Sequence, residues 1–226
     1  MNADWGYSGE IGPRCWAGLD PEYEACKGHE QSPIALWSKE ATTQNRTPPE
    51  LITCRAQVCA KKQPNNINFV GFAGSALRLD GVSYELDHLH FHTPAEHKLD
   101  GLIGRLEGHF VFKTADQQIA VLGLVFEQGP ANPTIDKLWS LLPNTTKPNE
   151  SVSINPADLI PKPLSTLAYQ GSLTTPPCTE NVRWFVALPV LTISSHQIQQ
   201  FTALIGANAR PLQPLKGRNV ELVNSR

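Results

Sequence analysis

The sequence predicts a mostly-β single domain, with strands joined by turns and only a few short helices. Three observations carry that expectation. The chain has 226 residues, a length at which single all-β domains are common and a sizeable core can be buried. Its 19 prolines and 16 glycines fall in short clusters between apolar runs, as turn residues do. Several of those runs alternate apolar and polar side chains with period 2, the pattern of a strand with one buried face. No internal repeat or low-complexity linker interrupts the chain, so residues 1–226 read as one domain.

Charge and hydropathy narrow the function classes. A net charge of −2 at pH 7 leaves no basic footprint for nucleic acid and no polybasic signal for a membrane surface. No apolar run approaches the ~20 residues of a membrane-spanning helix. The sequence opens Met1-Asn2-Ala3-Asp4-Trp5 with no apolar leader stretch. That start is expected of a cytosolic protein or of a mature form whose leader has been removed.

Taken in order, residues 1–40 hold Trp5, Tyr7, Trp16, Tyr23 and Trp37 among polar and glycine residues, which predicts an irregular segment pinned to the domain by an aromatic cluster. Gln31-Ser32-Pro33-Ile34 leads toward the first strands. Residues 60–66 are polar and predict a turn. Residues 68–72 and 76–79 read as strands, and Asp80-Gly81 is a hairpin turn into a strand over 83–93. A loop with Gly101 and Gly104 follows, then an alternating strand over 106–112 that places Glu107, His109 and Val111 on one face. The near-continuous apolar run 119–126 predicts a central strand buried on both sides. Helices are expected over 133–142, opened by Pro133 and Thr134, and over 194–205, with Ser194 or Ser195 as N-cap. The proline-rich stretch 143–163 predicts loop with short extended pieces. Residues 173–177 form a rigid turn, 182–188 a strand, and 207–218 an extended proline-containing stretch.

The chemistry lies in Asp87-His88-Leu89-His90-Phe91-His92. In a strand His88, His90 and His92 share one face while Leu89 and Phe91 fill the other. Three imidazoles on one wall do not serve packing. Two of them, about 7 Å apart along the strand, converge on one metal ion if a third ligand comes from a neighbouring strand, and His109 is placed to supply it. Zinc takes imidazole nitrogen at ~2.0–2.1 Å and in catalytic sites keeps one of four positions open. Periodicity leaves open whether the pair is His88/His90 or His90/His92. Glu107, two residues before His109, is close enough to orient an imidazole, as the outer partners of zinc ligands do. The five cysteines, at 15, 26, 54, 59 and 178, form no C-x-x-C pair, which argues against a zinc ribbon or a thioredoxin-like motif. Their odd number leaves at least one thiol free or paired between molecules.

These motifs occur in a recognisable order: Trp5-Gly6-Tyr7, Gly12-Pro13 with Trp16, Gln31-Ser32-Pro33-Ile34, His90-Phe91-His92, Glu96-His97, Glu107-x-His109 and Ala120-Val121-Leu122-Gly123. The Gly171-Ser-Leu-Thr-Thr-Pro-Pro run, Trp184 and Arg210-Pro-x-Gln-Pro-Leu complete the series. In them the chain resembles the α-class carbonic anhydrases, of the bacterial or secreted type, from Trp5 to Arg218. The resemblance implies a large central twisted sheet, mixed or antiparallel, with zinc at the bottom of a cleft. It implies reversible hydration of CO2 to bicarbonate by zinc-bound hydroxide. Because zinc hydroxide is a general nucleophile, side activity on activated esters is expected as well, and a monomer or homodimer is expected.

By the same resemblance His90, His92 and His109 are the Zn2+ ligands. Thr174 is the gatekeeper hydroxyl that accepts from the hydroxide and donates to Glu96. Thr175 lines the polar wall, and Val111, Val121, Leu173 and Trp184 form the apolar CO2 pocket. Glu107 partners His109, and His97 is a structural histidine behind the site. Cys26 and Cys178 match a disulfide seen in many secreted and bacterial members, which implies a periplasmic or extracellular location. A second bridge between Cys54 and Cys59, leaving Cys15 free, is a further expectation.

Two departures from the family pattern stand out. Many active members carry a proton-shuttling histidine at the cleft mouth, on the segment matching residues 63–68. Here that segment is Gln-Pro-Asn-Asn-Ile-Asn, and no histidine occurs between His29 and His88. Asn66 takes the shuttle position (Asn68 if the register shifts), and asparagine does not titrate near neutral pH. Where the family usually has a glutamine holding the first zinc histidine, this chain has His88, expected to partner His90 and a candidate to relay protons itself. Two other classes fit the same residues: a catalytically weak binding or storage relative, and a metal-buffering protein using the histidine strand.

Overall fold

Period-2 alternation around the histidines produces an 11-residue strand, Val82–His92, in the middle of a 13-stranded mixed sheet. The structure, a computed structural model, describes residues 3–43, 48–142 and 150–224. On one side of the histidine strand lie Leu106–Lys113 and then Ile119–Gln128, each antiparallel to its predecessor. Glu180–Ala187 joins parallel to Ile119–Gln128, followed by Ser165–Ser172 and Glu221–Asn224. On the other side come Ile67–Val70, Ala56–Lys62 and Val152–Ile154. The mostly-β architecture and the large mixed sheet are those expected.

The sheet buries both faces against different partners. One face carries Phe69, Leu89, Phe91, Phe110, Phe112, Leu122 and Phe126, packed under Ile135, Leu138, Trp139 and Phe201 of two helices. Trp139 stacks on Phe201 at 5.2 Å and meets the edge of Phe91 at 4.9 Å. The other face carries Val111, Val121, Val125, Tyr169, Trp184 and Val186, covered by Ile34, Leu36, Ala95 and Leu99. This two-sided burial explains why Ile119–Gln128 reads as an unbroken apolar run.

The histidine strand departs from plain alternation at one point. Val111 pairs with His88 but Phe112 pairs with Leu86, so Asp87 is an extra residue in a β-bulge. The cause is in the sequence. Tyr84, Leu86, Leu89 and Phe91 all belong to one core, and the step of three between Leu86 and Leu89 needs one inserted residue. The bulge turns Asp87 and His88 away from that core.

Element ends differ from expectation where cross-strand partners or caps decide them. Lys61 and Lys62 pair with Asn68 and Ile67, so the expected turn over 60–66 narrows to a Gln63–Asn66 link closed by Gln63 N–H donating to Asn66 O at 2.8 Å. The first of the two expected helices is Pro133–Trp139, started by the Asn132 side chain accepting from Thr134 and Ile135 N–H. Residues 140–142 continue as turns. The second helix, Ser195–Ile205, opens with a Ser194–Gln197 capping box and stops at Gly206, whose φ of 76° suits glycine. Of the expected loop over 143–163, residues 143–149 lie outside the described residues. The remainder holds Val152–Ile154 and a short 3-10 turn, Pro156–Asp158.

In the N-terminal segment Trp5, Tyr7 and Trp16 form edge-to-face contacts at 5.3–5.8 Å. Trp37 stands apart from them and is 42% exposed. Cys26 and Cys178 form a disulfide across 152 residues of sequence, a closure for which the chain-entropy account gives about 5 kcal/mol. The expected Cys54–Cys59 bridge is not formed, and Cys15, Cys54 and Cys59 are free thiols. The backbone N–H of Cys54 donates to Ser75 Oγ, whereas Cys59 is held in the ladder opposite Val70.

Candidate metal centre

The register places His109 directly across from His90, with Glu107 opposite His92 and Val111 opposite His88. The ligand nitrogens of His90, His92 and His109 all lie within 4.8 Å of one another. The pair left open by periodicity is therefore His90/His92, and His88 sits one position outside the cluster. Burial pushes the pKa of His90 well below its ordinary value, that of His92 down to about 4, and that of His109 down as well. All three are neutral imidazoles at pH 7, the form that binds metal.

Two of the rings are aimed by hydrogen bonds. His92 Nδ1–H donates to the Asn208 carbonyl at 2.7 Å, which leaves Nε2 buried with no partner among the described residues. His109 Nε2–H donates to Glu107 Oε1 at 2.9 Å. Glu107 also accepts from His97 Nδ1 at 2.7 Å and from the backbone N–H of Glu96 and His97 at 2.8 Å each. Burial works to raise its pKa, but His97 and His109 overcome this and hold the carboxylate well below its usual range. A second close group, His97, Glu107 and His109, is this hydrogen-bonded set and not a second cage. The remaining nitrogen of His97 meets the Tyr169 hydroxyl at 2.7 Å.

A zinc ion fits the first group. Three neutral imidazoles converge, two with their outer nitrogens tied, and the inward Nε2 of His92 lacks a partner among the described residues. That is the donor set of a three-histidine site.

Glu96 lies buried beside the cluster, its Oε1 accepting the Arg210 backbone N–H at 2.8 Å and standing 3.5 Å from His92 Nδ1. Burial raises its pKa to about 7, opposed by His109, by the Arg210 N–H and by the Thr174 hydroxyl. Its Oε2 makes no hydrogen bond of good geometry, although Thr174 interacts with the carboxyl. Thr174 is itself buried on a turn closed by Leu173 N–H to Thr179 O at 2.9 Å and Cys178 N–H to Thr175 O at 2.8 Å. Val111, Val121 and Trp184 are buried in one apolar cluster with Leu173 packed against it, and Thr175 is half-buried. The Trp184 ring lies 4.9 Å from that of His109, so the apolar wall adjoins the histidines.

One expected contact is not formed, and the residue at the shuttle position is engaged by backbone. His88 does not hydrogen-bond His90. Its Nδ1 meets Asp87 Oδ2 at 2.6 Å, and its ring stacks on His90 at 5.0 Å with 27° between planes. Asn66 donates its amide to the Phe91 carbonyl at 3.0 Å and accepts from Ile67 N–H at 2.8 Å, so both ends of its side chain are occupied by backbone.

Sequence reasoning missed Asn208 and the reach of Arg210. Asn208 accepts from Thr93 N–H, donates to Phe91 O and offers its own carbonyl to His92. The Arg210 guanidinium bonds Gln31, Ser32 O and Cys26 O and lies 5.5 Å over Trp16. Burial lowers its pKa to about 10 against the pull of Glu96 and Tyr7. The sequence signals Arg210 only through its place in the Arg210-Pro-x-Gln-Pro-Leu run.

The sheet, a cluster of three histidines that could hold a metal ion and the adjoining apolar wall together define a candidate metal centre on a mostly-β scaffold. The family model described as eukaryotic-type carbonic anhydrase matches residues 11–224, and the chain belongs to the α-carbonic anhydrase family. It is 37% identical over 218 residues to the carbonic anhydrase of Pectobacterium carotovorum, covering 95% of this chain and 88% of that one. It is also 34% identical to dioscorin dioA3 of Dioscorea japonica, covering 92% and 81%. Among solved structures, the Thermovibrio ammonificans α-carbonic anhydrase in complex with sulfanilamide superposes with a TM-score of 0.89 at 37% identity, covering 98% of this chain and 100% of that one. A dioscorin complexed with ascorbate also reaches 0.89, at 29% identity and 99% of each chain. The family marks the chain as a CO2-hydrating lyase and is zinc-dependent in general.

Proposed function

We propose that this chain, as one domain, hydrates CO2 reversibly to bicarbonate and a proton with zinc held by His90, His92 and His109, and that it works without a histidine proton shuttle. The observation that carries this reading is the convergence of three neutral imidazoles with an unpartnered, inward Nε2 on His92. A zinc ion bound there lowers the pKa of its water from 15.7 to about 7, a magnitude established on carbonic anhydrase itself.

The chain's own residues do the rest. Glu107 and the Asn208 carbonyl hold His109 and His92 in the tautomers that face inward. Thr174 donates its hydroxyl proton to Glu96, which leaves its oxygen as an acceptor that aims the attacking nucleophile. Val111, Val121, Leu173 and Trp184 hold CO2 against an apolar wall, with Thr175 on the polar side. Neither Asn66 nor Asn68 can titrate near neutral pH, so the proton leaves to external buffer. The same nucleophile supports side activity on activated esters. The Cys26–Cys178 bond supports an oxidising location, periplasmic or extracellular, and the chain acts as a monomer or homodimer.

Likeness to a dioscorin solved with ascorbate favours a second reading, a binding protein for a small organic acid. Stripping and restoring zinc separates the two. CO2 hydration that disappears with the metal, returns with it and is absent in His109→Ala supports the enzyme. Tight ascorbate binding with no hydration by the zinc-loaded chain supports the binder.

A further inference from the structure

His92 and His109 each have a hydrogen bond that aims the ring, whereas His90 has none among the described residues, and its buried Nδ1 has no partner. Metal-binding histidines almost always gain such a bond, so something else must fix this ring. Against it lies the imidazole of His88, at 5.0 Å and 27°. His88 is itself locked. Its Nδ1 meets Asp87 Oδ2 at 2.6 Å, and the same carboxylate oxygen lies 3.1 Å from Lys113 Nζ on the adjacent strand. The bulge at Asp87 creates this arrangement, because without the inserted residue Asp87 and His88 would point to opposite faces.

We infer that His88 is a positioning residue for the metal centre: a stacking platform, braced by Asp87 and Lys113, that orients His90 by ring contact where its neighbours are oriented by hydrogen bonds. This rests on the zinc reading above. It differs from a hydrogen-bonding role because the platform needs a flat ring and no donor. A planar apolar ring at position 88 therefore preserves the function, and a small side chain does not.

The test is the rate at which the zinc-loaded chain releases metal to an excess of chelator, compared with the thermal midpoint of each metal-free variant. Loss of an outer partner costs about 10–100-fold in metal affinity, so His88→Ala is expected to release zinc at least about tenfold faster. His88→Phe is expected to stay close to the parent, and Asp87→Ala to fall between the two. The metal-free midpoints of His88→Ala and His88→Phe should agree, which a merely structural role would not give. Parent-like release from His88→Ala overturns the inference, and so does release from His88→Phe as fast as from His88→Ala. A parent chain that takes up no zinc overturns the zinc reading itself, and the platform with it.

Discussion

The side-chain amide of Asn66 donates to the carbonyl of Phe91 at 3.0 Å, and the Asn208 amide donates to the same carbonyl, also at 3.0 Å. Phe91 lies between His90 and His92, so two asparagines clamp the ligand-bearing strand near its C-terminal end. Asn66→His therefore removes a clamp and does not install a proton exit. The expected outcome is turnover that still depends on buffer. Thermal unfolding should fall by about 2–4 °C, the shift about 1 kcal/mol produces in a chain of this size.

Glu107 receives four donors on two oxygens. Glu107→Gln replaces an acceptor oxygen by a donor facing donors. Zinc affinity is expected to fall by about ten-fold or more, read by competition with a chromogenic chelator, and the metal-free chain should also lose stability.

Thr174→Ala removes the hydroxyl that interacts with Glu96 and is proposed to aim the nucleophile, while leaving the three imidazoles untouched. Zinc content should stay at the parent level while kcat/KM for CO2 falls on the order of 100-fold, the scale of a lost orienting contact. Parallel loss of zinc would contradict the assigned role.

The Cys26–Cys178 bond closes 152 residues and joins the N-terminal segment to the turn after Thr174. Replacing both cysteines by serine is expected to cost about 2–5 kcal/mol in denaturant unfolding. Cys54→Ser and Cys59→Ser, at free thiols, should leave the midpoint unchanged.

Asp20 caps the Pro21–Lys27 turn, and backbone N–H groups of Glu22 and Ala3 lower its pKa from 3.8. A depressed folded-state pKa contributes stability that is present above the unfolded value and is lost as pH falls through the folded one. The stability gap between the parent and Asp20→Ala should thus be complete above pH 3.8 and close progressively below it. A gap that widens in acid would contradict the cap.

Much of this architecture was legible in the sequence because local periodicity encodes it. Residues 76–79 and the apolar run at 119 correspond to Ala76–Leu79 and Ile119–Gln128, and the imidazoles of one strand face one way. The bulge was written in the spacing of Tyr84, Leu86, Leu89 and Phe91, but only a register against a neighbouring strand reveals an inserted residue. Asn208 was illegible for a different reason. It orients His92 through its backbone carbonyl from 116 residues away, and a carbonyl carries no side-chain signature. The contrast between His88 stacking and His88 hydrogen bonding likewise depends on which way Asp87 points, which composition does not record.

The most direct measurement is stopped-flow CO2 hydration by the zinc-loaded chain across a buffer series from low to high concentration. A substantial rate that climbs with buffer is the predicted result, since zinc chemistry would be intact and proton exit would depend on external carriers. A rate independent of buffer would contradict the missing shuttle, and no rate with zinc bound would contradict the enzyme.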